Sequence, residues 1–115
     1  MNKITIFHNP RCVKSRETLA LLESKGVKAE IVEYLKTPPT AEELKEILQK
    51  LGLKAEDIVR KSETLYKEKF ADKKHTEVQW IKILVNNPVL IERPIVVNGK
   101  KASLGRPPEK VLDIL

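Results

Sequence analysis

Cysteine is nearly absent: Cys12 is the one cysteine in 115 residues. An intramolecular disulfide is thereby excluded, and so is a zinc site built from several cysteines. Two histidines add little toward any other metal site, and no bound metal is expected. Long apolar runs are missing too, since no segment approaches the roughly 20 apolar residues that span a bilayer. Residues Met1 to Phe7 lack the apolar stretch and small-residue cleavage site of a signal peptide. The expectation is a cytoplasmic chain with no membrane association. Aromatic residues make up 4% of the sequence and are scattered, which leaves no stacking platform for single-stranded nucleic acid.

Charge is plentiful, 33% of residues with a net +6, but it is mixed. Lys45-Glu46, Lys67-Glu68-Lys69 and Asp72-Lys73-Lys74 adjoin opposite signs, and the longest basic runs are pairs. This pattern reads as a solvated, lysine-rich surface rather than a nucleic-acid face. Apolar residues amount to 41%, enough for a core. There is no internal repeat, linker or low-complexity stretch, so a single domain over residues 1–115 is expected, and a monomer in the absence of a heptad seam.

The pattern along the chain predicts alternating elements. Ile4-Thr5-Ile6-Phe7 is a β-branched strand stopped by Asn9-Pro10. Ser15 to Lys25 reads as a helix ended by Gly26, and Lys28 to Tyr34 as a second strand. After the Thr37-Pro38-Pro39 loop, Thr40-Ala41-Glu42-Glu43 is a capping box leading into a helix with Leu44, Ile47, Leu48 and Leu51 on one face, ended by Gly52. Short helices are expected over Ala55 to Arg60 and Glu63 to Phe70. Thr76 and Gln79 cap another helix, with Val78, Ile81, Leu84 and Val85 as its apolar set. Pro94 to Asn98 and Lys100 to Leu104 form a hairpin centred on Asn98-Gly99. Pro107-Pro108-Glu109 opens a C-terminal helix. The order β-α-β, several helices, β-β-α is that of an α/β, thioredoxin/glutaredoxin-like mixed sheet, with a helical insertion of about residues 40–88 between its halves.

Cys12 lies between the first strand and the first helix, close to a helix N-terminus that favours an anion. His8, Arg11, Lys14 and Arg16 add positive potential, and the N–H or hydroxyl of Ser15 is placed to donate to the sulfur. These neighbours point to a lowered thiol pKa and a nucleophilic thiolate. The alternative is a small buried residue, the usual fate of a lone cysteine. Arginine is scarce: 5 against 17 lysines. Lysine supplies the surface charge, so the arginines are candidates for positions that need a planar fork. Two flank Cys12; the others are Arg60, Arg93 before Pro94, and Arg106 after Gly105.

Taken together, the segment His8-Asn9-Pro10-Arg11-Cys12-Val13-Lys14-Ser15-Arg16 resembles the active-site segment of the glutathione/glutaredoxin-linked arsenate reductases. Glu92-Arg93-Pro94-Ile95-Val96-Val97 and Leu104-Gly105-Arg106-Pro107-Pro108-Glu109 resemble that family's two later signatures, and Asp57-Ile58-Val59-Arg60-Lys61 its arginine-bearing helical segment. The resemblance covers essentially the whole chain. It implies that Cys12 attacks arsenate, that Arg60, Arg93 and Arg106 hold the oxyanion, that His8, Ser15 and Arg16 support the thiolate, and that Pro94 is a cis proline. It implies glutathione as co-substrate, glutaredoxin as partner and no bound cofactor. The absence of a second cysteine independently requires an external thiol to resolve any adduct on Cys12. The family's best-known members carry two small residues where this chain has Val13 and Lys14, so another oxyanion or a mixed disulfide is a possible substrate. A monothiol glutaredoxin-like oxidoreductase is therefore one rival reading. Another is an Spx-like regulator that binds RNA polymerase, although Ser15 removes the Cys-x-x-Cys switch of many such proteins. A third is a domain that binds an anion without turnover.

Overall fold

A computed structural model describes residues 4–115; Met1, Asn2 and Lys3, the start of the stretch read for a signal peptide, lie outside it. The chain divides into two units. One runs to Thr37 and resumes over Arg93–Leu115, and the other is Pro38–Glu92.

The first unit is built on a four-stranded sheet in the order β2-β1-β3-β4. Strand β1 (Ile4–Phe7) pairs in parallel with β2 (Glu30–Val32) through helix α1 (Val13–Ser24). It also pairs antiparallel with β3 (Ile95–Asn98), which pairs antiparallel with β4 (Lys101–Leu104). Ile6, Leu22, Val96 and Val111 are fully buried together, with Leu19, Leu21, Val27 and Ile114 packed against them. Alternation in β1 and β3 sends Ile6 and Val96, which are register partners, to the same face.

Strand β2 is shorter than the alternating stretch Lys28 to Tyr34 suggests. The ladder ends where the His8 N–H bonds to the Val32 carbonyl, and the chain then turns, with Lys36 and Thr37 N–H groups sharing the Glu33 carbonyl. The hairpin is shifted by one residue from its expected centre: Asn98 pairs with Lys101, so Gly99-Lys100 are the turn residues. Gly99 has φ of 60° and no other residue type in the described chain has positive φ. Glycine at the first central position of a two-residue turn is the type II′ pattern, and it outranks Asn-Gly here. The C-terminal helix is a 3-10 segment, Pro108–Ile114. Side chains of the hairpin take its carbonyls: Asn98 Nδ2 donates to Ile114 at 2.6 Å and Ser103 Oγ to Lys110 at 3.2 Å.

In the second unit, α2 (Ala41–Leu51) and α4 (Glu77–Asn86) both begin with the expected capping boxes, at Thr40/Glu43 and Thr76/Gln79. Gly52 ends α2 in the left-handed region, φ 70°. Leu44, Ile47 and Leu48 are buried on α2; on α4 the buried residues are Trp80, Ile81 and Leu84, while Val78 faces solvent. Trp80 rather than Val78 thus completes the inward stripe. Ala55 to Arg60 forms only one 3-10 turn, Ala55–Ile58. Beyond it Val59 bridges to Ile91, and Arg60 N–H to Leu90 and Glu92 N–H to Ile58 close the pairing at 2.7 Å each. A short helix, α3, covers Thr64–Lys69.

Gly105 has no room for a side chain. A Cβ there would lie 2.6 Å from Thr18 Oγ1 on α1 and 2.7 Å from Pro94 Cγ. Its N–H donates to the Pro94 carbonyl at 2.9 Å. Gly105→Ala is expected to destabilise the protein by about 1–3 kcal/mol, as overpacking does. A urea-denaturation midpoint equal to wild type would show that Thr18 and Pro94 simply move aside.

Candidate functional site

Asn9 organises the loop between β1 and α1. Its carbonyl accepts the Cys12 N–H, its Oδ1 the Arg11 N–H, both at 3.0 Å, and its own N–H donates to Ser15 Oγ at 3.0 Å. The loop thereby delivers Cys12 to the N-cap of α1 in an extended conformation, half-buried, with its carbonyl accepting the Arg16 N–H. The sulfur sits at the open first turn, where N–H groups have no partner within the helix.

Burial raises the Cys12 pKa, but four influences outweigh it and the thiol titrates below its ordinary range. They are the Ser15 backbone N–H, a hydrogen bond from Arg93, the charge of Arg93, and the Lys14 backbone N–H. Arg93 is half-buried on the loop before β3, and the Arg93–Pro94 bond is cis, as is Arg106–Pro107. Burial lowers the pKa of Arg93, yet its contacts with Cys12 and Tyr34 more than compensate, so it stays firmly charged.

The remaining expected site residues divide into groups. His8 and Ser15 are buried and joined, Nδ1 to Oγ at 2.6 Å. The Ser15 hydroxyl serves His8 and Asn9, so it is the Ser15 N–H that serves the sulfur. Burial lowers the His8 pKa, Glu33 raises it and Arg16 lowers it, with a net fall that leaves the ring neutral at pH 7. Arg16 is exposed and donates to the Pro10 carbonyl at 3.5 Å. Arg106 is exposed at its backbone turn and donates to the Arg93 carbonyl at 3.1 Å. Arg60 belongs to the second unit, where Glu63 and Glu92 both pair with its guanidinium. Val13 and Lys14 are exposed.

A cleft of about 480 Å³ opens beside the loop, lined by His8, Asn9, Pro10, Arg11, Glu33 and Lys36, among others. Among the described residues no cluster of three or more histidine, cysteine or acidic side chains is placed to hold a metal. Among the same residues no helix is long and apolar enough to cross a membrane. Sequence reasoning had not singled out Asn9, Thr18 or Tyr34. Asn-Pro marked the turn but not its three hydrogen bonds, and Tyr34 read only as a strand residue.

Fold and site define a thioredoxin-like protein whose single thiol is activated at the start of the first helix. The sequence profile of the ArsC family matches residues 7–114, and the chain belongs to that family. It is 46% identical to the arsenate reductase of Neisseria meningitidis serogroup A over 100% of both chains. It is 50% identical to the uncharacterized protein YfgD of Escherichia coli K12, covering 98% of this chain and 97% of that one. The structure of the arsenate reductase from Vibrio cholerae matches with a TM-score of 0.94 at 46% identity, over 99% of this chain and 98% of that one.

The lowered thiol pKa sets two pH dependences. Alkylation of Cys12 by iodoacetamide is expected to inflect below the roughly pH 8.5 of a free cysteine. The folded thiol loses its proton before the unfolded one, so stability from the thiolate is complete above the unfolded pKa and is lost as pH falls through the folded value. Cys12→Ser is expected to flatten that part of the stability profile. An inflection at or above the free-thiol value would remove Arg93 and the first-turn N–H groups as activators.

Proposed function

We propose that the protein reduces arsenate to arsenite through Cys12, with glutathione and glutaredoxin as its reductants, in the cytoplasm where such thiols are kept reduced. The observation that carries this reading is a depressed, half-exposed thiol facing an arginine fork, in a chain with no second cysteine. The family relatives named arsenate reductase supply the substrate.

In the first step the Cys12 thiolate attacks arsenic. An S–As bond forms, an As–O bond breaks, and the departing oxygen leaves protonated as water or hydroxide. Arsenic stays pentavalent. Arg93 shields the sulfur from the charge of the incoming dianion and then stabilises the adduct, with Arg106 as a further oxyanion ligand. The oxyanion role of Arg60 comes from the family resemblance alone; within its own unit its guanidinium pairs with Glu63 and Glu92. In the second step a glutathione thiolate attacks the Cys12 sulfur. The S–As electron pair passes to arsenic, which leaves as trivalent arsenite, and a mixed disulfide remains. Glutaredoxin thiol then exchanges onto that disulfide and frees Cys12. The balance is one arsenate and two thiols to arsenite, one disulfide and water.

The test is arsenate-dependent NADPH oxidation with glutathione, glutaredoxin and glutathione reductase. Wild type is expected to turn over and Cys12→Ser to lose turnover while remaining folded. No turnover by wild type with a free thiol would sink the reading and leave a monothiol oxidoreductase on another substrate or a regulator. Arg93→Lys keeps the charge but loses the fork, and its kcat/KM for arsenate is expected to fall on the order of 10–100-fold. Unchanged kcat/KM would take Arg93 out of the site.

A further inference from the structure

Cys12 is the one cysteine, so any adduct or disulfide on it is resolved by a thiol from outside, and that thiol needs a place to sit. The cleft of about 480 Å³ beside the Cys12 loop has the size of a small-molecule site. Residues 8–11 supply one part of its lining; Glu33, Leu35 and Lys36, on the turn after β2, supply the rest. Arg11 directly precedes Cys12, and neighbouring Cα atoms are about 3.8 Å apart, so the lining comes to within one residue of the cysteine.

The lining carries a definite charge pattern. Arg11 and Lys36 are cationic and exposed, and Glu33 is anionic. Glu33 and Lys36 approach to 3.7 Å, but their side chains are 41% and 78% exposed. An ion pair so open to water contributes little, and both charges stay able to meet a ligand. Leu35, also exposed, adds apolar surface. A matching ligand carries two anionic groups, one cationic group and a short aliphatic body. Among thiols, that is a small peptide with a carboxylate at each end, an α-ammonium and a central cysteine, which is the chemistry of glutathione. An inorganic oxyanion matches the cations but is repelled by Glu33. We propose that this cleft is the subsite for the thiol co-substrate: the carboxylates of a glutathione-like peptide meet Arg11 and Lys36, and its ammonium meets Glu33. The proposal deepens the reductase reading and rests on its thiol step, not on arsenate.

Thiol–disulfide exchange tests the subsite without arsenate. The Cys12 thiolate attacks one sulfur of oxidised glutathione, a Cys12–glutathione disulfide forms, the S–S bond of the reagent breaks, and one glutathione thiolate leaves. The rate is followed by mass spectrometry of quenched samples and compared with that for uncharged bis(2-hydroxyethyl) disulfide. Both reagents meet the same thiol, so their rate ratio cancels any change in its pKa. The ratio in wild type is expected to exceed that of the small neutral thiol N-acetylcysteinamide; equality overturns the proposal. Lys36→Glu is expected to lower the ratio about 10-fold, as an attraction becomes a repulsion. Lys100→Glu changes the net charge equally on the hairpin turn, beyond the Ile4–Asn98 pair at the other end of the sheet from Phe7, and is expected to leave the ratio unchanged. An unchanged ratio in Lys36→Glu overturns the proposal, as does an equal fall in both variants. N-acetylated oxidised glutathione lacks the ammonium; its exchange is expected to slow several-fold in wild type and not in Glu33→Gln, and an equal loss in both overturns the assignment. If the ratio falls in Lys36→Glu alone while wild type does not reduce arsenate, the subsite stands and the substrate reading fails. If wild type reduces arsenate and Lys36→Glu keeps the ratio, the reductase reading stands and the subsite fails.

Discussion

Burying a thiolate is the constraint around which the first unit is arranged. Desolvation alone raises a cysteine's pKa and makes it inert, and burial is the largest single influence on Cys12. It is outweighed only because donors from two separate stretches of chain meet at the sulfur: the first turn of α1 and the loop before β3. Both stretches contribute to the fall in pKa. The two must therefore be held against each other. Gly105 does this by direct approach: its N–H bonds to Pro94, and its missing side chain lets Thr18 of α1 and the Pro94 ring close to the backbone. Thr18 is fully buried and spends its hydroxyl on the Lys14 carbonyl, one turn back toward the cysteine. A residue almost a hundred positions away thus sets the geometry of the cysteine.

The loop itself is rigidified by polar bonds rather than by packing. His8, Asn9 and Ser15 are all buried polar residues, and each is satisfied by another member of the group. Such networks are worth having only when complete, because a buried donor without a partner costs more than the bond returns. Completion has a consequence for roles. A Ser15 hydroxyl engaged by His8 and Asn9 leaves the backbone N–H as the part of Ser15 that reaches the sulfur. His8 then acts on Cys12 through the shape of the loop and not through direct contact with the thiol.

The legible parts of the fold were those governed by local chemistry. The capping boxes at Thr40 and Thr76 and the stop at Gly52 depend on residues within one turn, and they appear where the pattern puts them. The parts that moved depend on distant chain. β2 is trimmed by the length of its partner β1, and the C-terminal segment is drawn into a 3-10 form by Asn98 and Ser103 of the hairpin. The site follows the same division. Cys12 at a strand-to-helix junction could be read from order and a turn signal. Tyr34 could not, because nothing in Glu33-Tyr34-Leu35 announces that this phenol will be almost fully buried.

Arginine usage is the exception, a global statistic that pointed to local geometry. In a chain that takes lysine for most of its positive charge, each arginine needs a reason. Three of the five have a structural use: Arg60 pairs with two carboxylates, Arg93 helps to lower the Cys12 pKa, and Arg106 bonds to the Arg93 carbonyl. A lysine ammonium can supply the charge at each place, but its point-like head on a flexible stem does not hold two differently placed acceptors in one plane. Arg106 is used for support rather than for charge. It is exposed, where charge alone is cheap, yet it bonds to the backbone of the residue that faces Cys12. That Nη1 bond supports the loop that carries Arg93, so the loop is held from Arg106 as well as through Gly105.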